Sequence, residues 1–305
     1  MGDRLKGKVA VVTGSGQGIG RAIAVEMARE GAKLITNNRR PGTEGGDAQT
    51  TAETIRAMGG EAIPIFGDVS NPADAKRIVQ AAVENFGRID ILVNNAGIVR
   101  DRMIWKMSDE EWDSVIKVHL YGCFYCTREA AALMREQRSG RIINISSRVA
   151  FGTVGQANYS AAKGGINALS QSAARDLGRY GITVNIIFPA ADTRIMRTPE
   201  VLASKEKRAK AGVQAASGAG TDLAELPDPV DVGRLCTWLA SDQAANVNGQ
   251  MIFSWGREIT LYSQSAKLKS MFTQAEHWTV DDIAEMFPKT LGEGLVNPAP
   301  PQPAQ

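Results

Sequence analysis

Short apolar runs alternate along this chain with longer stretches of helical period. Residues 8–13 are almost wholly apolar and predict a strand covered on both faces. A glycine-rich turn over 14–20 leads into a helix from Arg21 to Glu30, stopped at Gly31. The alternation then repeats: strands over 32–36 and 62–66, helices over about 47–58 and from Asn71-Pro72 to about Phe86, and a strand over 89–93. One long helical stretch is expected from Asp109 to about Arg135. A strand over 141–145, a helix from about Gln156 to Tyr180 and a strand over 182–188 come next, the last closed by Pro189. A helix over 230–240 and a strand over 249–253 complete seven strands.

Strands alternating with helices in this way predict an α/β fold, a Rossmann-type doubly wound parallel seven-stranded sheet with right-handed crossovers. It fills one domain over 1–262. Residues 192–229 lack a strand signal, come after the end of a strand and are expected to form a lid over the ligand edge of the sheet. They carry Arg194, Arg197, Lys205, Lys207, Arg208 and Lys210, which read either as a phosphate-binding patch or as the solvated face of a helix. Residues 263–305 form a C-terminal extension with one helix-like piece over 279–287. Its Pro-rich end, 297–305, predicts disorder.

Composition narrows the classes. The chain has 305 residues, 43% hydrophobic and 22% charged, with a formal net charge of +2, so no nucleic acid or anionic membrane is called for as a partner. No apolar run approaches the roughly 18 residues of a membrane span, and the polar start MGDRLKGK does not read as a signal peptide. Three cysteines, Cys123, Cys126 and Cys236, do not make a disulfide framework, and a cytoplasmic setting is expected. Cys123 and Cys126 form a C-x-x-C, but on a helical apolar run, where the spacing reads as two small core residues. His119 and His277 are the only histidines, which leaves no His-rich metal site, and no metal is expected.

The chemistry gathers in GRIINISSRVAFGTVGQANYSAAK, residues 140–163. Tyr159 and Lys163 stand four apart on a helix and share one face. A lysine beside a tyrosine favours phenolate, so the expectation is a Tyr159 pKa lowered towards neutrality and a usable general acid or base. A serine at the strand end, Ser146 or Ser147, would polarise the same oxygen.

Four features in this order, Thr13-Gly14-x-x-x-Gly18-Ile19-Gly20, Asn94-Asn95-Ala96-Gly97, Ser146-Ser147 and Tyr159-x-x-x-Lys163, resemble the classical short-chain dehydrogenases/reductases across about residues 6–258. The resemblance implies an NAD(P)-dependent oxidoreductase that interconverts a secondary alcohol and a ketone and works as a homodimer or homotetramer. It implies that Gly14, Gln17, Gly18 and Ile19 hold the cofactor pyrophosphate and that Asn38 and Arg39 meet the adenine ribose. Asp68 and Val69 would flank the adenine, and Asn94, Asn95, Ala96 and Gly97 would line the ribose side. Pro189 and Thr193 would contact the nicotinamide end. Tyr159 is implied as proton donor or acceptor, and Lys163 as binding the nicotinamide ribose. By distance from the tyrosine the family's serine is Ser146; by strand register it is Ser147, which we favour. Where the family generally has Asn, this chain has His119.

That histidine, in Val118-His119-Leu-x-Gly122, resembles the (R)-3-hydroxyacyl-CoA dehydrogenase modules of peroxisomal multifunctional enzymes and their bacterial relatives. His119 reads either as part of a proton relay or as a lineage marker with no chemistry. The resemblance implies a 3-hydroxyacyl/3-oxoacyl thioester as substrate, on coenzyme A rather than acyl carrier protein. The alternatives are a steroid, terpenoid or cyclic alcohol, and a non-catalytic nucleotide sensor on the same fold. For the cofactor, Asn38 stands where those relatives commonly have Asp, and Arg39 and Arg40 come directly after it. Loss of a repelling carboxylate beside two guanidinium groups points to NADP(H); Gln17, where a basic residue is common in NADP(H)-preferring relatives, points to NAD(H).

Overall fold

A computed structural model describes residues 2–191 and 227–295. Residues 192–226, most of the lid expected over 192–229 and Thr193 with it, and the chain end from 296 lie outside those residues. By its internal contacts the chain divides into Met1–Tyr262 and Ser263–Gln305.

The first unit is built on one sheet: β1 (Val9–Val12), β2 (Lys33–Asn38), β3 (Ala62–Phe66), β4 (Ile91–Asn94), β5 (Gly140–Ile145), β6 (Ile182–Pro189), β7 (Met251–Trp255) and β8 (Glu258–Tyr262). Their spatial order is β3-β2-β1-β4-β5-β6-β7-β8. The first seven pair in parallel, as expected of a doubly wound sheet.

Among the described residues the sheet has eight strands rather than the seven that the pattern predicts. β8 turns back at Gly256, whose φ is +53°, and runs antiparallel along the outer edge of β7. Its apolar residues Ile259 and Leu261 are 63% and 65% exposed. The strand is held by pairing with β7 more than by burial, and a pattern of buried positions carries little trace of it.

Alternate residues of each strand face opposite sides of a sheet, and here both sides are covered. Ala10, Val12, Leu34, Ile91 and Val93 meet α1 (Gly18–Arg29), α2 (Ala48–Ala57) and α7 (Val230–Ala240). Val9, Val11, Ile35 and Leu92 meet α3 (Pro72–Phe86), α5 (Gly122–Gln137) and α6 (Ala157–Gly178). Away from the glycine turns, buried Asp90 ties the start of β1 to β4: it accepts from Val9 N at 2.9 Å and pairs with Arg88 at 2.7 Å.

The long helix expected from Asp109 to about Arg135 is interrupted. α4 (Asp109–Ile116), opened by a Ser108–Glu111 capping box, passes into a π turn at Lys117–Tyr121 before α5 begins. A π turn widens the helix by one residue and rotates the turns beyond it. His119 sits within it.

In the second unit, α8 (Val280–Lys289) starts at a Thr279–Asp282 capping box, and Lys269 Nζ donates to the carbonyls of Thr290 and Glu293. Among the described residues no helix is long and apolar enough to cross a membrane.

Candidate active site

β1 and β4 are neighbours in the sheet, while the chain leaves them towards opposite sides. Ligands bind in the crevice such a switch opens beyond the strands' C-terminal ends. The glycine turn leaves β1 there. Gly14 and Gly18 have φ of +63° and +55°, a conformation L side chains resist. A Cβ on Gly14 would stand 2.7 Å from Ala96 Cα, and one on Gly20 would stand 2.3 Å from the Gly14 carbonyl. The turn therefore lies directly on the run after β4. α1 starts at Gly18 with no side-chain cap from Gln17 and no acidic residue in its first turn, so its N–H groups remain free for an anion. This cradle fits the pyrophosphate of a dinucleotide. Gln17 bonds the carbonyls of Glu44 and Gly46 and ties the loop after β2 to the turn.

Asn95 holds the cradle from beneath. Its amide donates to the carbonyls of Thr13 and Gly14, both at 3.0 Å, while Thr13 Oγ1 accepts from Asn95 N and Ala96 N. Asn94 turns the other way, to Thr127 at 3.0 Å and Asn144 at 2.8 Å, and Asn144 in turn donates to Ser170. At the end of β2, Asn37 donates to three backbone carbonyls and receives Gly14 N. Asn38 Oδ1 lies against Gly16, buried and without a partner. Arg39 and Arg40 are exposed. Asp68 closes a turn onto Ser70, at 2.9 Å to its N–H and 2.7 Å to its hydroxyl, and Val69 packs on Gly122. Pro189 ends β6.

Ser146 and Ser147 part company at the end of β5. Ser146 is buried and donates to the Lys163 carbonyl at 3.2 Å. Ser147 caps a short 3-10 turn, Arg148–Phe151, its hydroxyl accepting from Val149 N at 3.2 Å, and it lies near enough to Tyr159 to favour the charged form of the phenol. Lys163 is buried, with Nζ 5.4 Å from the centre of the Tyr159 ring, and donates to the Ile145 carbonyl at 2.6 Å. The structure thus brings Ser147, Tyr159 and Lys163 together.

Their acidities correct the sequence expectation. Burial pushes the Tyr159 phenol up to about 12; the Ser147 hydroxyl opposes that rise and the Asp101 carboxylate adds to it. Burial brings Lys163 down to about 8. The lysine does not carry the phenol towards neutrality, because desolvation acts on both groups and favours the neutral form of each.

His119 joins the group from the π turn. Its ring meets that of Tyr159 edge-on, with centroids 5.1 Å apart. Nε2 lies 3.0 Å from Ile98 N, which donates to it, and 2.7 Å from the Ile98 carbonyl. Nδ1 is buried with no protein partner. Burial, and Lys163 nearby, bring the imidazole down to about 3, so it is neutral. A cavity of about 10 Å³, room for about one water, lies between His119, Lys163, Asn94 and Cys123. Cys123 and Cys126 are buried, and burial pushes both thiols up, Cys123 to about 12, as core thiols rather than reactive ones. Among the described residues no three His, Cys, Asp or Glu side chains gather as a metal site.

Sequence reasoning passed over Asn37, Asn144 and Asn158. All three are buried asparagines most of whose partners are backbone or side-chain groups distant in the chain. Only the doubled Asn37-Asn38 at a strand end hinted at any of them.

Comparison with known proteins agrees with this geometry. The family model for short chain dehydrogenases matches residues 8–200. The hydroxyacyl-CoA dehydrogenase ChsB1 of Mycobacterium tuberculosis is 43% identical over 293 residues, 92% of this chain and 87% of that one. The 3-oxoacyl-[acyl-carrier-protein] reductase FabG of Staphylococcus aureus is 39% identical over 246 residues, 80% of this chain and 95% of its own. A crystal structure of a short chain dehydrogenase from Mycobacterium avium superposes with a TM-score of 0.80 at 38% identity, covering 98% of this chain and 99% of that one.

The packing of Gly97 on His119 makes a prediction. A Cβ at Gly97 would stand 2.3 Å from His119 Cε1. Gly97→Ala is expected to destabilise the protein by about 1–3 kcal/mol through overpacking, read by urea denaturation. In Gly97→Ala/His119→Ala the clash has no second partner, so the double variant should lose less than the sum of the singles by about 1 kcal/mol or more. Additive losses would show that the ring is not what limits position 97.

Proposed function

The chain belongs to the short-chain dehydrogenase family, and from that membership we propose that it interconverts a 3-hydroxyacyl and a 3-oxoacyl thioester, carried on coenzyme A. It is an NAD(P)-dependent oxidoreductase. Coenzyme A is preferred to acyl carrier protein because the relative named for an acyl-CoA matches over the larger share of this chain. The observation that carries the reading is the placing of the Ser147 hydroxyl where it favours the charged form of the Tyr159 phenol, with Lys163 buried beside them. Two hydroxyls converging on one point are what a ketone oxygen needs in order to be held and protonated.

A bound nicotinamide would supply the hydride in reduction and accept it in oxidation. The protein's groups do the rest. Tyr159 gives its proton to the substrate oxygen in reduction and takes it back in oxidation. Ser147 donates to the same oxygen and fixes its direction, while Ser146, turned onto the Lys163 carbonyl, shapes the backbone instead. Lys163 has three N–H donors, one on Ile145, with the others for the nicotinamide ribose and for a water. A water in the cavity beside it would give Lys163 and His119 Nδ1 a shared partner, and we assign His119 to that relay.

Two or four copies and a cytoplasmic setting belong to the same proposal. The first is supported by half-exposed Trp112, Tyr121 and Phe124 along α4, the π turn and α5, the second by three buried, unpaired cysteines. A monomer in sedimentation at micromolar concentration would remove the first.

Turnover of acetoacetyl-CoA and longer 3-oxoacyl-CoA thioesters tests the assignment. Tyr159→Phe should lower kcat by about two to four orders of magnitude with cofactor binding nearly unchanged. Ser147→Ala should cost far more than Ser146→Ala. His119→Ala should lower kcat and move its pH dependence; an unmoved profile would take the histidine out of the relay. A Tyr159→Phe enzyme with near-wild-type turnover would remove the mechanism, and a protein that binds the dinucleotide without turning over any thioester would be a sensor.

We further propose a preference for NADP(H). It is supported by the amide at Asn38, whose Oδ1 has no protein partner, and by exposed Arg39 and Arg40 directly after it. An amide there does not repel a 2′-phosphate, and a guanidinium can bind one. The wild type should show the higher kcat/KM with NADP(H). Asn38→Asp should shift the ratio towards NAD(H) by about tenfold or more, roughly 1.4 kcal/mol. A wild type that favours NAD(H) would mean that the arginines do not reach the ribose.

A further inference from the structure

Tyr159 lies in the first turn of α6, where backbone N–H groups have no partner inside the helix. The residue before the helix usually caps the N–H three positions on with its side chain. Gln156 occupies that place and makes no such cap. Its amide donates instead to Asp101 Oδ1 at 2.9 Å. The N–H left over is that of Tyr159 itself, and Asn158 Oδ1 takes it at 2.7 Å.

Asn158 is fully buried at 0% exposure, and both hydrogens of its amide are engaged as well, on the carbonyls of Arg100 and Glu111, each at 2.9 Å. Those carbonyls belong to the segment after β4. That segment is also tied to the run just before α6, by Arg102 N donating to the Gly155 carbonyl at 2.8 Å. It is stiffened by the Arg102–Glu111 ion pair at 2.8 Å, and its start rests on His119 through Ile98. One amide thus caps the tyrosine's own backbone and fastens the first turn of its helix to a second wall of the site.

We propose that Asn158 is a positioning residue that holds the Tyr159 hydroxyl on Ser147, by capping the Tyr159 N–H and anchoring the first turn of α6 to Arg100 and Glu111. The inference rests on the reading of Tyr159 as the proton donor. Reaction geometry is strict enough that a shift of about 1 Å costs up to about 100-fold in rate, and an uncapped first turn is where such a shift would arise. The titratable groups around the phenol are Lys163 on the same helix, with Cys123 behind it, His119 from the π turn, and Asp101 from the segment after β4. A phenol drawn away from Ser147 keeps the influence of burial and of Asp101 and loses the hydroxyl that favours its charged form. Its acidity then falls, and oxidation of the alcohol, which needs the phenolate, starts at higher pH.

The test compares Asn158→Ala with Asn167→Ala, a buried asparagine farther along α6 whose Oδ1 has no partner. Both are assayed with acetoacetyl-CoA and, in the other direction, 3-hydroxybutyryl-CoA across pH, alongside Tm. Asn158→Ala should lose about tenfold in kcat, hold the cofactor KM within about twofold, and move the pH midpoint of oxidation upward. Asn167→Ala should leave kcat and midpoint in place whatever its Tm. Should Asn158→Ala not fold, Asn158→Ser, which keeps the acceptor and one donor, should show a smaller loss and the same direction of pH shift. A folded Asn158 variant with unchanged kcat and midpoint, or two asparagine variants whose losses simply track Tm, would overturn the proposal. Loss of rate in Tyr159→Phe together with an unaffected Asn158→Ala would sink only this inference; an unaffected Tyr159→Phe would sink the reading beneath it.

Discussion

The Lys163 ammonium is buried beneath the C-terminal end of β5 and donates to a single carbonyl, that of Ile145, at 2.6 Å. A cation out of water is costly unless its donors are met, and the surrounding geometry is arranged around that demand. β5 must end where its last carbonyl meets the lysine. Ser146 must turn onto the Lys163 backbone, which places α6 against the strand end. Tyr159, one helical turn earlier on the same face, then has no choice but to stand over Ser147. The cavity beside Lys163, with the unpaired Nδ1 of His119 and the Asn94–Asn144 pair, is the remaining polar surface a buried ammonium requires.

A second constraint is closeness of backbone to backbone at the crevice between β1 and β4. Gly14 lies on Ala96, Gly20 on Gly14, and Gly97 on the His119 ring, each with no room for a Cβ. These contacts weld the anion-binding turn to the run after β4, and Asn95 and Thr13 lock it with four hydrogen bonds. The phosphate cradle and the hydroxyl pair are thereby fixed in one frame. Hydride transfer needs such a frame, because it tolerates little error between the two reacting partners.

Within that frame desolvation works against charge on each acid–base group: it holds Tyr159 and His119 neutral, and lowers Lys163 while leaving it an ammonium at neutral pH. Tyr159 is pushed up to about 12, Lys163 down to about 8 and His119 down to about 3. Charge is costly in this site and is moved most easily when another charge is brought in with the reactants. A site built this way suits a proton transfer that accompanies a change of charge in a bound partner rather than one that precedes it.

Much of this was legible in the sequence because it is local. The short apolar runs and the helical stretches between them determine seven of the eight strands found among the described residues. The glycines at 14, 18 and 20 mark backbone that no side chain can share, and four-residue spacing alone puts Tyr159 and Lys163 on one helix face. What the tertiary structure decided is long-range. β8 exists because β7 offers an edge, and the π turn at Lys117–Tyr121 interrupts a stretch that reads in sequence as one helix. Ser146 and Ser147 are adjacent and alike in sequence, and only the pleat of β5 against α6 sends one to a carbonyl and the other to the phenol. The Tyr159 acidity went opposite to the expectation for the same reason. Spacing gives the distance to a charge, but desolvation is the sum of everything packed around the group, and no stretch of sequence contains that sum.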